Sequence, residues 1–321
     1  MSVERQARRA PLGDTTDDYY PSRVEAAPRW IFRHEPAVYS APCTPAPVSA
    51  AQHEAFERNG FIIVDDLFDT REIEALQEEL ETLRRNPAPL ARETLIEESG
   101  ARLSLRSIFS IHTQSALFKR LSADSRLVNI ARYLLGDDVY IHQSRLNYKP
   151  GFNGKEFYWH SDFETWHVED GMPRMRAVSM SLLLNENTHD NGPLMLIPGS
   201  HKHFIACVGE TPEDHYKQSL RKQEYGVPDR ESLSRLVDAG GITAATGKAG
   251  TLVVFDCNTM HGSNGNITPA SRANAFVVYN AVSNALEAPF SRGRPRPEFI
   301  AARGRPQAVA PIIGRLDPSE G

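Results

Sequence analysis

The sequence predicts a mainly β fold with flanking α-helices, and three observations lead there. From about residue 138 onward, short apolar runs rich in β-branched and aromatic residues recur between Gly, Pro and Asn turns, the pattern of a β-sandwich or barrel. Before that point, apolar residues recur at three-to-four spacing between helix caps. The chain has 321 residues, 40% hydrophobic and 24% charged, the balance of an ordinary globular protein with a sizeable core.

Taken in order, residues 1–48 are poor in periodic pattern and rich in Pro, Asp and Arg, and read as an irregular arm whose first dozen residues are mobile. A helix is expected over 49–59, with Ser49 as N-cap and Gly60 after its end. Phe61–Val64 is a short branched run and reads as a strand. Asp69 caps a second helix to about Arg85, with Ile73, Leu76, Leu80 and Leu83 on one face. A third spans about 122–135 and ends at Gly136. Strands are expected over 139–149, 175–184, 194–197, 251–255 and 273–283. Residues 209–250 form a long polar insertion with a possible helix at 233–237. One domain over 49–300 follows, helical to about 136 and β from about 137, with 301–321 as a C-terminal tail.

Composition excludes several classes of function. The net charge is −5, and the basic runs RQARR and SRGRPRP are short, which speaks against nucleic acid. No apolar stretch approaches the roughly 20 residues of a membrane span, and no apolar segment follows the N-terminal arginines as a secretory leader would require. Cys43, Cys207 and Cys257 are isolated and odd in number, against a disulfide framework or a thiolate zinc site. A reducing cytoplasm is the expected compartment.

The stretch FYWHSDFETWHVEDGMP, residues 157–173, carries the chemistry. On an extended strand His160 and Asp162 point to one side, so an imidazole and a carboxylate can reach one metal ion. His261, after the run TLVVFD, is the best third ligand, and two His with one carboxylate form the facial triad of non-haem Fe(II) oxygenases. Such a triad leaves room on the metal for a bidentate co-substrate and dioxygen. The pairs His167/Glu169 and His201/His203 sit among turn residues and read as solvated loop histidines. Arg272 opens the last strand; its planar fork suits a dicarboxylate, and a surface salt bridge fits it equally well. On 139–149 the odd positions Gln143, Arg145, Asn147 and Lys149 are all polar, which fits either a polar ligand pocket or a solvent-facing edge. Phe157, Tyr158, Trp159, Phe163 and Trp166 crowd the motif, as core packing or as an aromatic cage for a delocalised cation.

From residue 157 through PGSHK, the sequence closely resembles the signature region of the ectoine hydroxylase family, within the phytanoyl-CoA dioxygenase-like superfamily of Fe(II)- and 2-oxoglutarate-dependent dioxygenases. The resemblance runs from about residue 18 to about residue 299. It implies a double-stranded β-helix (jelly roll, cupin-like) with flanking helices. By the same resemblance, His160, Asp162 and His261 hold iron, and Lys149, Arg272 and Asn147 bind 2-oxoglutarate. Gln143, Trp166 and Arg296 hold ectoine. The reaction implied is hydroxylation of ectoine to 5-hydroxyectoine, a compatible solute, with O2 consumed and succinate and CO2 released, in a cytoplasmic homodimer. The zwitterion suits the residues: Trp166 can face its amidinium, Arg296 can pair with its carboxylate and Gln143 can bond the ring. A dioxygenase acting on another small zwitterion such as proline, or a solute-binding protein on the same barrel, is separated from this by a substrate panel and by oxygen uptake.

Overall fold

The computed structural model describes residues 18–41, 46–97, 105–220 and 224–316. The expectations for the first dozen residues and for Cys43 lie outside them.

The described chain begins with a strap that contains strand β1 (Arg29–Phe32). Helix α1 (Ala50–Asn59) starts at a capping box: Ser49 accepts from the Gln52 N–H, and the Gln52 side chain accepts from the Ser49 N–H. Gly60, at φ +83°, closes it, and a Cβ there would sit 2.5 Å from His201 Nδ1. Strand β2 (Phe61–Val64) follows, then α2 (Thr70–Arg85), opened by the same reciprocal cap between Asp69 and Glu72. Short strands β3 (Leu95–Glu97) and β4 (Leu105–Phe109) lead into the turn α3 (Ile111–Gln114). The helix expected over 122–135 begins three residues later, and a further short helix that the sequence did not suggest precedes it. Helix α4 (Ala116–Ser122) ends, and α5 (Ser125–Leu135) starts afresh because the Asp124 carboxylate accepts from the Arg126 N–H.

The β part comprises β5 (Val139–Lys149), β6 (Phe157–His160), the turn α6 (Asp162–Thr165), β7 (Ala177–Leu183), β8 (Leu194–Leu196) and β9 (His203–Ala206). After the short α7 (Tyr216–Ser219) come α8 (Arg230–Gly240), β10 (Thr243–Ala245), β11 (Leu252–Asp256), β12 (His261–Ser263) and β13 (Arg272–Ala281). Seven strands form an antiparallel sheet in the order β2-β11-β7-β13-β5-β4-β3, and four form a second in the order β10-β8-β12-β6; β1 pairs with β9. These two facing sheets, with helices outside, form the jelly roll.

Alternation assigns the faces. On β13, Ala273, Ala275, Val277 and Tyr279 join Ile73, Leu76, Leu121 and Leu134 in the core between the large sheet and the helices. Phe276 joins Leu183, Leu194, Leu196 and Phe255 between the two sheets. Arg272 and Asn274 share that inner face, so polar groups accumulate toward one end of the sandwich, where the cavity opens. The segment read as a C-terminal tail runs back across the helices as far as Leu316. Val309 N–H donates to Val139, Leu316 N–H donates to the Glu72 carboxylate, and the Leu316 side chain is buried.

Candidate active site

His160 ends β6 and Asp162 opens α6, with extended Ser161 between them; the motif therefore straddles a strand–helix junction and does not continue a strand. Strand β12 pairs antiparallel with β6 so that His261 lies directly across from His160, and their ring centroids are 4.2 Å apart. Asn258 ties the two segments together. Ser161 Oγ donates to its Oδ1 at 2.9 Å, while its Nδ2 donates to the carbonyls of His201 and His203.

The donor set fits a divalent metal. The ligand atoms of His160, Asp162 and His261 lie within 4.8 Å of one another, and all three residues are buried. His160 Nδ1 faces the Tyr158 carbonyl at 2.8 Å and His261 Nδ1 faces the Thr259 carbonyl at 2.9 Å. Each Nδ1 therefore carries the proton and donates it to a backbone carbonyl, leaving Nε2 as the free lone pair, the arrangement usual for ligating histidines. Those Nε2 atoms stand 3.6 and 3.8 Å from the two Asp162 oxygens. Ser179 Oγ donates to Asp162 Oδ2 at 3.3 Å and fixes the carboxylate rotamer. Burial, with His160 beside it, pushes His261 down to about 4. Burial opposes ionisation of Asp162, yet the two imidazoles and Arg145 hold it well below the usual carboxylate range. His261 is therefore neutral and Asp162 ionised at neutral pH, the protonation states a metal ligand needs.

The triad faces a cavity of about 120 Å³. The whole polar odd face of β5, Gln143, Arg145, Asn147 and Lys149, lines it, joined by Trp166, Arg272 and Arg296. Arg106, Arg145, Lys149, Lys155, Arg272 and Arg296 supply cations, whereas Asp162 is the one carboxylate among the described lining residues. Such a chamber selects anions. Arg272 is 6% exposed, and among the described residues its Nε has no hydrogen-bond partner. Burial and the neighbouring Arg106 push its pKa down to about 10, the state of a buried guanidinium that lacks a counter-ion.

The remaining expected residues stand as follows. Lys149 Nζ donates to Ser263 Oγ at 2.9 Å and to the Asn264 carbonyl. Asn147 Oδ1 accepts from Ser107 at 2.8 Å. Gln143 Nε2 donates to the Ile300 carbonyl at 2.7 Å and its oxygen accepts from Arg145. Trp166 begins a π-helical turn, Trp166–Asp170, a rare form that recurs at functional sites. Arg296 grips Asp170 through Nε at 2.8 Å and Nη2 at 2.5 Å, an internal partner the sequence did not suggest.

The loop histidines need correction. His167 is fully buried and stacks on Phe290 at 3.9 Å, with Nδ1 bonded to the Met172 carbonyl and Nε2 to Asp18. His201 is 1% exposed under Gly60. Both sit in turns that the sandwich covers, so local turn composition misreads them. The sequence did not single out Arg106, Phe109, Lys155, Ser263 and Phe276, which line the cavity, whereas Phe157, one of the aromatics crowding the motif, does line it. Ser263 was within reach, since it lies two residues from His261 on the same strand face.

Three comparisons bear on this geometry. Residues 56–274 match the family model described as phytanoyl-CoA dioxygenase (PhyH). The ectoine dioxygenase of Sphingopyxis alaskensis is 60% identical over 299 residues, 93% of this chain and 97% of that one. The crystal structure of EctD from S. alaskensis with 2-oxoglutarate and 5-hydroxyectoine superposes with a TM-score of 0.86 at 54% identity, over 94% of this chain and 100% of that one. The form of that protein with bound Fe gives a TM-score of 0.85 with the same identity and coverage.

Proposed function

The chain belongs to the phytanoyl-CoA dioxygenase family, in its ectoine dioxygenase branch, and from that premise we propose its reaction and the part each residue takes in it. It is a non-haem Fe(II)- and 2-oxoglutarate-dependent dioxygenase that hydroxylates ectoine to 5-hydroxyectoine. The observation that carries this is the convergence of two proton-directed imidazoles and one carboxylate on a cavity lined by cations.

His160, Asp162 and His261 would hold the iron on one face, which leaves the cavity side for co-substrates. Bound iron, with 2-oxoglutarate and O2, supplies the oxidising chemistry: a ring C–H becomes C–OH while 2-oxoglutarate leaves as succinate and CO2. The chain does the binding, orienting and water exclusion. Arg272, buried and lacking an anion, takes the distal carboxylate of 2-oxoglutarate, and Lys149 and Asn147 border the same region. Trp166 offers its face to the delocalised amidinium of ectoine, and Gln143, fixed at both ends of its amide, presents a set orientation to the ring. Arg296 lends its positive charge to the ectoine carboxylate from a fork already oriented by Asp170. Ser219 and Leu220 also line the chamber.

Purified protein with Fe(II), 2-oxoglutarate, O2 and ectoine should yield 5-hydroxyectoine and succinate in equal amounts by mass spectrometry; succinate release without an ectoine product would overturn the substrate reading. Asp162→Ala should abolish turnover and weaken iron binding by more than about tenfold, measured by anaerobic titration. We place the protein in the cytoplasm as a homodimer built from one catalytic domain over 49–300, with light scattering after size exclusion as the check on the dimer.

A further inference from the structure

His142 lies where β5 loses its alternation. Across the ladder Gln143 pairs with Val278 and Ile141 pairs with Tyr279, so His142 has no partner residue on β13. A bulge of this kind places two successive side chains on nearly the same side and re-aims one of them. Ile141 keeps the helix-side core while the His142 ring turns inward, against Trp166, with centroids 4.9 Å apart and planes at 65°. Its Nε2 stands 3.8 Å from Asp170 Oδ2, the oxygen that grips Arg296. Behind it is a separate cleft of about 380 Å³ bordered by His112, Glu298 and Phe299, and Gln143 borders both this cleft and the substrate cavity.

The imidazole is 1% exposed, and neither ring nitrogen has a hydrogen-bond partner among the described residues. Burial pushes it down to about 4, with Asp170 pulling upward and Arg296 pressing down with burial. It is therefore neutral at neutral pH, and Asp170 remains committed to Arg296. An imidazolium there would compete for the same carboxylate and loosen the fork.

We propose that His142 is a positioning residue for the ectoine subsite: delivered inward by the β5 bulge, its ring sets the plane of Trp166 and walls the Asp170–Arg296 pair from the cleft behind. It acts through those residues and touches neither co-substrate. This rests on the reading that Trp166 and Arg296 face ectoine. Edge-to-face packing of this kind contributes enough that its loss is worth about tenfold in affinity.

The test compares His142→Ala and His142→Phe in the iron-loaded enzyme, by steady-state kinetics and by anaerobic calorimetric titration with ectoine in the presence of 2-oxoglutarate. In His142→Ala, the ectoine KM and Kd should rise by about tenfold while the 2-oxoglutarate KM and the kcat at saturating ectoine change by less than about threefold. His142→Phe keeps a ring on Trp166 and should stay within about threefold of wild type for ectoine. Where the alanine variant does not fold, His142→Gln, which is polar but has no ring, should reproduce the selective loss. An unmoved ectoine constant in the ring-less variant, a parallel rise in both substrate constants, or a folded phenylalanine variant as weak as alanine overturns the proposal. Wild-type protein that neither binds nor hydroxylates ectoine overturns the function reading and this one together; a His142→Ala enzyme that matches an active wild type overturns this one alone.

Discussion

Arg272 shows how one side chain can state what it binds. A guanidinium held at 6% exposure, with a pKa lowered to about 10 and, among the described residues, no partner for Nε and no counter-charge, pays for its burial. A dianion at its tip would restore the usual protonation and remove that cost. Arg272→Gln should therefore raise the 2-oxoglutarate KM by about a hundredfold while iron affinity, set by the triad, moves little. Equal 2-oxoglutarate KM values in the two enzymes would take Arg272 out of the co-substrate site. At this scale the sequence was readable where a residue acts through its own chemistry. The HxD pair and a later His announced themselves, and so did the polar odd face of β5. It was silent where a residue acts through a distant partner. Nothing local to Arg296 predicts Asp170 as its partner, 126 positions away. Nothing local to His142 predicts the bulge that turns it inward, because on an alternating strand an even position is assigned to the opposite face.

The elements that bear the site are held by buried ionic clusters that sequence periodicity does not register. Arg23, in the left-handed region at φ 58°, donates to Glu164 through Nε and Nη2 and to Glu169 through Nη1 at 2.7 Å. It thereby pins the N-terminal strap to α6 and the π-helical turn that carries Trp166. Read from sequence, this strap was irregular, since its order comes from two carboxylates more than 140 positions away. Arg23→Met removes the guanidinium from two buried carboxylates, leaving Glu164 the Ser22 hydroxyl at 2.6 Å and Glu169 the more distant His215 and Arg296, so it should cost about 3 kcal/mol in denaturant unfolding and raise the ectoine KM. Retained stability would mean that the strap does not depend on this cluster. Glu72 does the same for the helical layer. It caps α2, accepts from Arg126 of α5 at 2.8 Å, and accepts from the Leu316 N–H. Burial opposes its ionisation, but these donors prevail and bring its pKa down from 4.5 to about 2. A carboxylate depressed in the folded state contributes its full stabilisation above the unfolded value. That contribution disappears as pH falls from about 4.5 toward 2. Glu72→Gln should thus lower stability by about 2 kcal/mol at pH 7 and by much less near pH 2, where wild type and variant converge. A gap that stays constant with pH would assign the effect to packing. The helix boundary at Asp124 follows the same logic: apolar spacing runs on through the α4–α5 break, and a capping carboxylate decides where the new helix starts.

Over the whole molecule, the sandwich works as a rigid frame with a reactive end. The pairing order of the large sheet joins Phe61 to Phe255 and Ala273 to Tyr148, contacts far apart in sequence that periodicity alone cannot order; the jelly roll was legible through family resemblance more than through the strands themselves. Both faces of the large sheet are packed, by helices outside and the second sheet inside, so the cavity end is where the fold tolerates a concentration of cationic side chains and the convergent triad. An apo site of this composition stores electrostatic repulsion that ligands relieve, and folding stability must then be linked to their binding. A ligand at about 100 times its Kd stabilises the native state by about 2.7 kcal/mol. Thermal unfolding under anaerobic conditions should therefore rise on addition of Fe(II), and rise again with 2-oxoglutarate. Chelation by EDTA should abolish the first increment and shrink the second, because the keto-acid end of 2-oxoglutarate loses the metal while Arg272 still offers a partner for the distal carboxylate. In Arg272→Gln the iron increment should persist and the 2-oxoglutarate increment should fall away. A 2-oxoglutarate shift of undiminished size in both the chelated protein and the Arg272→Gln variant would place its binding outside the chamber that the triad and Arg272 share.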